Sequence, residues 1–143
     1  MKNLLILVLA IFLCTGSLMS QLRLGVGSNL IFETTVFGLQ GKLLYEQEDQ
    51  AWRGVGSFTY HLDNFFDWSI DLDTHYRLLD VGEDFNLAPF AGLSYIKSNL
   101  DKDLGFNLGA FIELFISERN IYIEPKVIFR DGSKLAISGG IIF

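Results

Sequence analysis

The feature that most constrains this chain is a two-residue alternation that confines charge to one side of each extended run. Across residues 67–79, Trp68, Ile70, Leu72, Thr74, Tyr76 and Leu78 alternate with Ser69, Asp71, Asp73, His75 and Arg77. Across residues 121–130, Ile121, Ile123, Pro125, Val127 and Phe129 alternate with Tyr122, Glu124, Lys126, Ile128 and Arg130. Leu39, Gly41, Leu43 and Tyr45 oppose Gln40, Lys42, Leu44 and Glu46 in the same way, and Leu108, Ala110, Ile112 and Leu114 oppose Asn107, Gly109, Phe111 and Glu113. Side chains of a strand point alternately to its two faces. Each run therefore presents one apolar face and one face that gathers charges of both signs.

Eight such runs follow residue 21. They cover residues 22–32, 37–46, 51–62, 67–79, 85–97, 104–116, 121–130 and 134–143. The stretches between them are short and polar. One holds Asp131-Gly132, a pair suited to the positive backbone angles of a tight hairpin. Short connections join antiparallel neighbours, and 143 residues make one domain. The expected fold is all-β, an eight-stranded antiparallel up-and-down barrel over residues 21–143.

Alternation admits two such barrels. A soluble lipocalin-like carrier turns the apolar face inward around a small ligand, whereas a transmembrane barrel turns it outward. Three observations favour the second. Eight strands enclose only enough room for side chains or one small ligand. Yet Tyr45, Trp52, Tyr60, Trp68, Tyr76, Tyr95, Phe106 and Phe129 all fall on the apolar face, while the other face mixes charges with Gly25, Gly27, Gly38, Gly92, Gly109 and Gly140. The apolar-face aromatics also gather at run ends, with Tyr45, Trp52, Tyr76 and Phe143 at one end and Phe32, Phe37, Tyr60, Trp68, Tyr95, Phe106 and Phe129 at the other. Membrane–water interfaces select two such girdles around an aliphatic band. Last, Leu135, Ile137, Gly139, Ile141 and Phe143 alternate up to a final aromatic residue.

That closing pattern resembles the last strand of outer-membrane barrels, whose terminal aromatic acts as an insertion signal. Pro89-Phe90-Ala91-Gly92-Leu93-Ser94-Tyr95 and Gly105-Phe106-Asn107-Leu108-Gly109-Ala110 resemble consecutive strands of the small OmpA/OmpX-like and porin-like families. The resemblance implies a monomeric barrel in the bacterial outer membrane, surrounded by its lipid. It also implies delivery by the barrel-assembly machinery through the strand that ends at Phe143. The connecting stretches are shorter than is usual in that family, which argues against a loop-borne function.

The first segment reads as an export signal. Basic Met1-Lys2-Asn3 precedes the apolar run Leu4 to Cys14, and Thr15-Gly16-Ser17 and Ser20-Gln21 supply small residues for cleavage. The apolar run falls short of the roughly 20 residues of a membrane helix. Cleavage is expected after Ser20, with Ser17 as the alternative, so that residues 1–20 are the signal peptide. Cys14 follows Leu13 rather than the small residue that lipoprotein signals carry, so lipidation is the lesser reading.

The formal net charge of −6 argues against a nucleic-acid partner, whose binders are basic. Candidate site residues are the charges on the inner face. These are Arg23, Lys42, Arg53, Arg77, Lys126 and Arg130 against Glu46, Asp71, Asp73, Glu113 and Glu124, together with His61 and His75. Near-balanced charges in a narrow lumen are expected to pair and close it, because unpaired buried charge is costly. The alternative is an ion or proton path. A further group of aromatics, Phe90, Phe111, Phe115 and Tyr122, is assigned to the same face.

Ser69, Asp71, Asp73 and His75 invite comparison with a hydrolase. Alternate residues of one strand stand about 6.6–6.8 Å apart, too far for a Ser–His bond within that strand. The His-x-Ser motif of outer-membrane lipid-modifying enzymes has no counterpart here, since Leu62-Asp63 follows His61 and Tyr76-Arg77 follows His75. No catalytic, metal or cofactor residue is therefore expected. The acidic turns around Glu48-Asp49 and Asp101-Lys102-Asp103 read as solvated loops.

Overall fold

A computed structural model of the chain describes residues 22–47, 50–63, 66–78, 85–98, 102–116 and 118–143. The expected signal peptide lies outside these residues, as does the expected turn at 80–84. Eight strands follow one another: β1 (Leu22–Ile31), β2 (Val36–Glu46), β3 (Trp52–His61), β4 (Phe66–Tyr76), β5 (Phe85–Ser98), β6 (Lys102–Ile116), β7 (Arg119–Phe129) and β8 (Ser133–Ile142). Each pairs antiparallel with the next, and β8 returns to β1, so the sheet closes on itself. The fold is the up-and-down barrel that the alternation requires. Closure gives every strand a hydrogen-bonded neighbour on both sides.

The boundaries differ from the sequence expectation by one to three residues, for local reasons. β6 and β7 extend further because Lys97↔Lys102 and Ile116↔Arg119 continue their ladders past the last apolar residue. β4 ends at Tyr76, and Leu78 makes an isolated bridge to Leu87. The β4–β5 register shifts between Phe66 and Trp68. The β6–β7 ladder breaks between Gly109↔Lys126 and Ile112↔Ile123, at Pro125, which has no N–H to give. Asp131 and Gly132 both take positive φ, 41° and 107°, as the hairpin reading requires.

The seam between β1 and β8 depends on missing side chains. Gly27 stands opposite Gly140 there. A Cβ on Gly27 would collide with the Gly139 carbonyl and with the hydroxyl of Tyr122, and one on Gly140 would meet the Val26 carbonyl. The same device recurs in the wall, where Gly109 leaves room for the Phe90 ring. Large inward side chains thus pack over inward glycines, which is how so narrow a barrel is filled.

From one end to the other the lumen is layered. The proximal end is where β1 begins and β8 finishes. There, Leu44, Val55, Ala88, Phe90, Phe111, Tyr122 and Ile142 form a buried apolar layer. Ile31, Val36, Ile96, Ile128 and Ala136 form another at the distal end. Between and around these layers lie the polar and charged groups.

Candidate functional site

The alternation aims each charge inward, and the tilt of the strands brings charges from non-adjacent strands together. In the middle of the lumen Lys42 Nζ donates to Glu124 Oε2 at 2.5 Å and to Ser57 Oγ at 3.0 Å. Lys126 Nζ donates to Asp71 Oδ2 at 2.6 Å and stands 3.8 Å from Glu124 Oε1. Ser94 Oγ also donates to Asp71, at 2.5 Å. All four charged residues are buried. Uncharged groups complete this layer: Tyr122 Oη donates to Gln40 Oε1 at 3.1 Å, and Asn29 Nδ2 to Ser138 Oγ at 2.8 Å.

A second cluster lies at the proximal end. Arg23 pairs with Glu113 and reaches Glu46 at 3.4 Å, while Arg53 Nη1 stands 2.9 Å from Glu46 and 3.6 Å from Glu113. Arg77 is held mainly by the Gln50 carbonyl of the β2–β3 turn and lies 3.9 Å from Glu46. Between the two clusters aromatic rings stack on one another and under the Arg53 guanidinium. His75 lies on Phe90 with centroids 4.7 Å apart, Phe111 lies on Tyr122 at 5.4 Å, and Arg53 Cζ sits 4.3 Å from the Phe111 centroid. Arg53 also reaches His75 Nδ1, at 3.3–3.4 Å.

Two expected members stand apart. Arg130 is at the distal end, where its Nε lies 3.6 Å from Asp103, far from either cluster. Phe115 shares the inward parity but sits at the proximal rim, 36% exposed, so only Phe90, Phe111 and Tyr122 of the four aromatics are buried. Both departures come from position along the strand: parity selects a face and says nothing about depth. One cross-strand contact escaped the sequence reading. His61 Nε2 lies 3.0 Å from Ser69 Oγ, both buried. The pairing Thr59↔Ser69 places His61 diagonally across from Ser69, within reach once β3 and β4 are in register. Asp71, the next inward acid on β4, is engaged by Lys126 and Ser94 instead.

The outer wall is the reverse of a soluble protein's surface. Leu24, Leu39, Leu72, Leu93, Leu104 and Leu108 are all more than half exposed. The aromatic residues form two belts. Trp52 meets Tyr76 edge-on near the proximal end at 4.8 Å, and near the distal end Trp68 lies 5.6 Å from Tyr95 and Phe106 6.4 Å from Phe129. A shallow apolar depression of about 590 Å³ opens among Leu24, Val26, Gly41, Leu43, Phe58 and Ile70, on the outside of the wall. The inside-out, lipocalin-like alternative needs the opposite arrangement, with apolar walls around the lumen. Here buried ion pairs fill the middle of the lumen between its two apolar layers.

The chain shares the fold of the eight-stranded transmembrane β-barrels. It matches the N-terminal β-barrel domain of Pseudomonas aeruginosa OprF with a TM-score of 0.67 at 16% identity, over 85% of this chain and 96% of that one. It matches a de novo designed transmembrane β-barrel with a TM-score of 0.58 at 11% identity, over 85% and 94%. It matches Ail, the attachment invasion locus protein of Yersinia pestis, with a TM-score of 0.50 at 16% identity, over 85% and 96%. No family model matches the sequence, and no curated protein is similar to it.

Proposed function

We propose that this protein is an integral barrel of the bacterial outer membrane whose lumen is closed, and that it serves a structural or interaction role without catalysis. The observation that carries this reading is the inversion of the molecule. Leucine and aromatic side chains face outward in an aliphatic band between two belts, while Lys42, Lys126, Asp71 and Glu124 are buried inside and paired. Water would be a poor solvent for such a wall, and lipid a good one. The fold shared with the OprF barrel domain supports the same placement.

On this reading the lipid of the outer membrane is the barrel's permanent partner. The strand that leads to Phe143, itself outward and 74% exposed, is the one that barrel-assembly machinery engages. The protein acts as a monomer and binds no nucleic acid. The proximal end faces the periplasm and the distal end the exterior. The layers of the lumen favour a plug over a path, because an ion crossing it would have to part Lys42 from Glu124 and Lys126 from Asp71, and then pass the stacked rings.

Two measurements test the proposal. Carbonate or urea washing of membranes leaves an integral barrel in the pellet, and release without detergent would refute insertion. Purified protein in planar bilayers is expected to give no steady openings. Regular single-channel steps would refute the plug and favour an ion path.

A further inference from the structure

The sealed middle of the lumen has one negative charge too many. Lys42 and Lys126 supply two cations there, and Asp71, Asp73 and Glu124 three anions. Asp71 and Glu124 each contact an ammonium group. Asp73, only 4% exposed, forms no ion pair among the described residues. An ionised carboxylate buried without a cation is strongly disfavoured.

The hydrogen bonds around Asp73 point the same way. Asp73 on β4 pairs with Gly92 on β5, and Gly92 pairs with Asn107 on β6. Gly92 has no side chain, and a Cβ there would collide with the Asp73 carboxylate. The two polar side chains therefore meet above the glycine, where Asn107 Nδ2 donates to Asp73 Oδ1 at 3.1 Å. Each side chain has a second oxygen, Asp73 Oδ2 and Asn107 Oδ1. Both are buried, and neither has a hydrogen-bond partner among the described residues. If Asp73 were ionised, both atoms would be buried acceptors without a donor. Buried polar groups of this kind are normally satisfied.

We propose that Asp73 is a proton-binding site, held as a neutral carboxylic acid in a cyclic pair with the Asn107 amide. The acid Oδ2–H donates to Asn107 Oδ1 while Asn107 Nδ2–H donates to Asp73 Oδ1, so the pair closes through two antiparallel hydrogen bonds. One proton satisfies both orphan oxygens and brings the middle of the lumen to zero net charge. Asp71 and Glu124 are poorer hosts, because protonating Asp71 would cost Lys126 its ion pair at 2.6 Å and protonating Glu124 would cost Lys42 its ion pair at 2.5 Å. The charged groups that act on Asp73 are Lys126 and Glu124 on β7 and Asp71 on its own strand, where His75 is the next inward residue; β5 and β6 present Gly92, Ser94 and Asn107, and Arg53 is committed to Glu46 and Glu113.

The test uses the full chain reconstituted in phospholipid vesicles at neutral pH. The infrared spectrum is expected to contain a carboxylic-acid C=O band that moves down in D₂O. Asp73→Asn removes this band, and Asp71→Asn leaves it. Asp73→Asn also keeps the wild-type unfolding midpoint, because an amide can donate and accept in the same ring, whereas Asp71→Asn lowers the midpoint. Should Asp73→Asn fail to fold, Asn107→Leu provides the reading: the acid remains, its carbonyl loses its donor, and the band moves to higher frequency. The proposal is overturned if the wild type shows no acid band. It is also overturned if the band vanishes with Asp71→Asn or Glu124→Gln, if it ignores Asn107→Leu, or if the midpoint rises with sodium concentration, which would mean that a cation holds the site.

Discussion

Removing the ammonium group of Lys126 tests whether the lumen is held by its ion pairs. Lys126→Met keeps most of the side chain's length and removes its charge. The structure sets what is lost. Asp71 Oδ2 loses a charge-assisted bond of 2.6 Å and keeps the Ser94 hydroxyl at 2.5 Å on its other oxygen. Glu124 loses a cation at 3.8 Å and keeps Lys42 at 2.5 Å. The damage therefore falls on Asp71, which becomes a buried carboxylate without a counter-ion. Breaking a buried pair from one side costs about 3–5 kcal/mol, most of it from the charge left behind.

Arg130→Met provides the control. Its ion pair with Asp103 is longer, 3.6 Å, and Asp103 is a third exposed, so solvent screening leaves about 1 kcal/mol or less. Urea titration of barrels folded into vesicles measures both, with fluorescence from Trp52 and Trp68, the two tryptophans of the chain, as the reporter. Replacing both partners, Lys126→Met with Asp71→Leu, is expected to recover most of the loss, since apolar substitutes for a buried pair are often neutral. If Lys126→Met lies within about 0.5 kcal/mol of wild type, the range of an ordinary surface change, the ion-pair network does not hold the lumen.

Two further substitutions probe the wall and the seam. Ile112→Arg places a cation on the outward face between Leu87 and Ile123 and is expected to cost about 2–4 kcal/mol in vesicles, while Ile112→Leu is silent; a harmless arginine would mean that this face does not meet lipid. Gly27→Val drives a side chain into the Gly139 carbonyl and the Tyr122 hydroxyl, so β1 and β8 should fail to close and the heat-modifiable gel shift of a folded barrel should disappear; a normal shift would show that the seam has slack.

The face of nearly every residue was legible in the sequence, because strand alternation has a period of two and the charges obey it without exception through the middle of β4 and β7. Which charges meet was not. Lys42 and Glu124 are 82 residues apart, on β2 and β7, and their contact at 2.5 Å depends on the tilt that barrel closure imposes. The same holds for Asp73 and Asn107, which meet only because Gly92 separates their strands. Arg130 and Phe115 were assigned to the inner face by parity, which carries no information about height in the lumen, and both lie towards its ends. The uncharged partners, Ser57, Ser94, Gln40 and Asn29, were visible only as polar residues sharing the charged parity.

The ion pairs of the lumen therefore present an energetic question of their own. Buried pairs come close to breaking even against apolar side chains of the same volume, so the folded barrel gains little depth from them. Their larger effect falls on the arrangements that the sequence must avoid. A one-residue slip in a strand turns its whole inward set outward. A slip of β2 or β7 would turn Lys42 or Lys126 onto the lipid face, at about 2–4 kcal/mol for each near the midplane. An apolar substitute would carry no such penalty, because it is at home on either face. The Lys126→Met, Asp71→Leu double variant separates these two effects. Once folded it should resist urea much as the wild type does, yet a smaller fraction of chains should reach the heat-modifiable form, because β7 would have lost the charge that most penalises the wrong register. Equal folding yields would show that Glu124 and the apolar outer face are enough to set the register of β7.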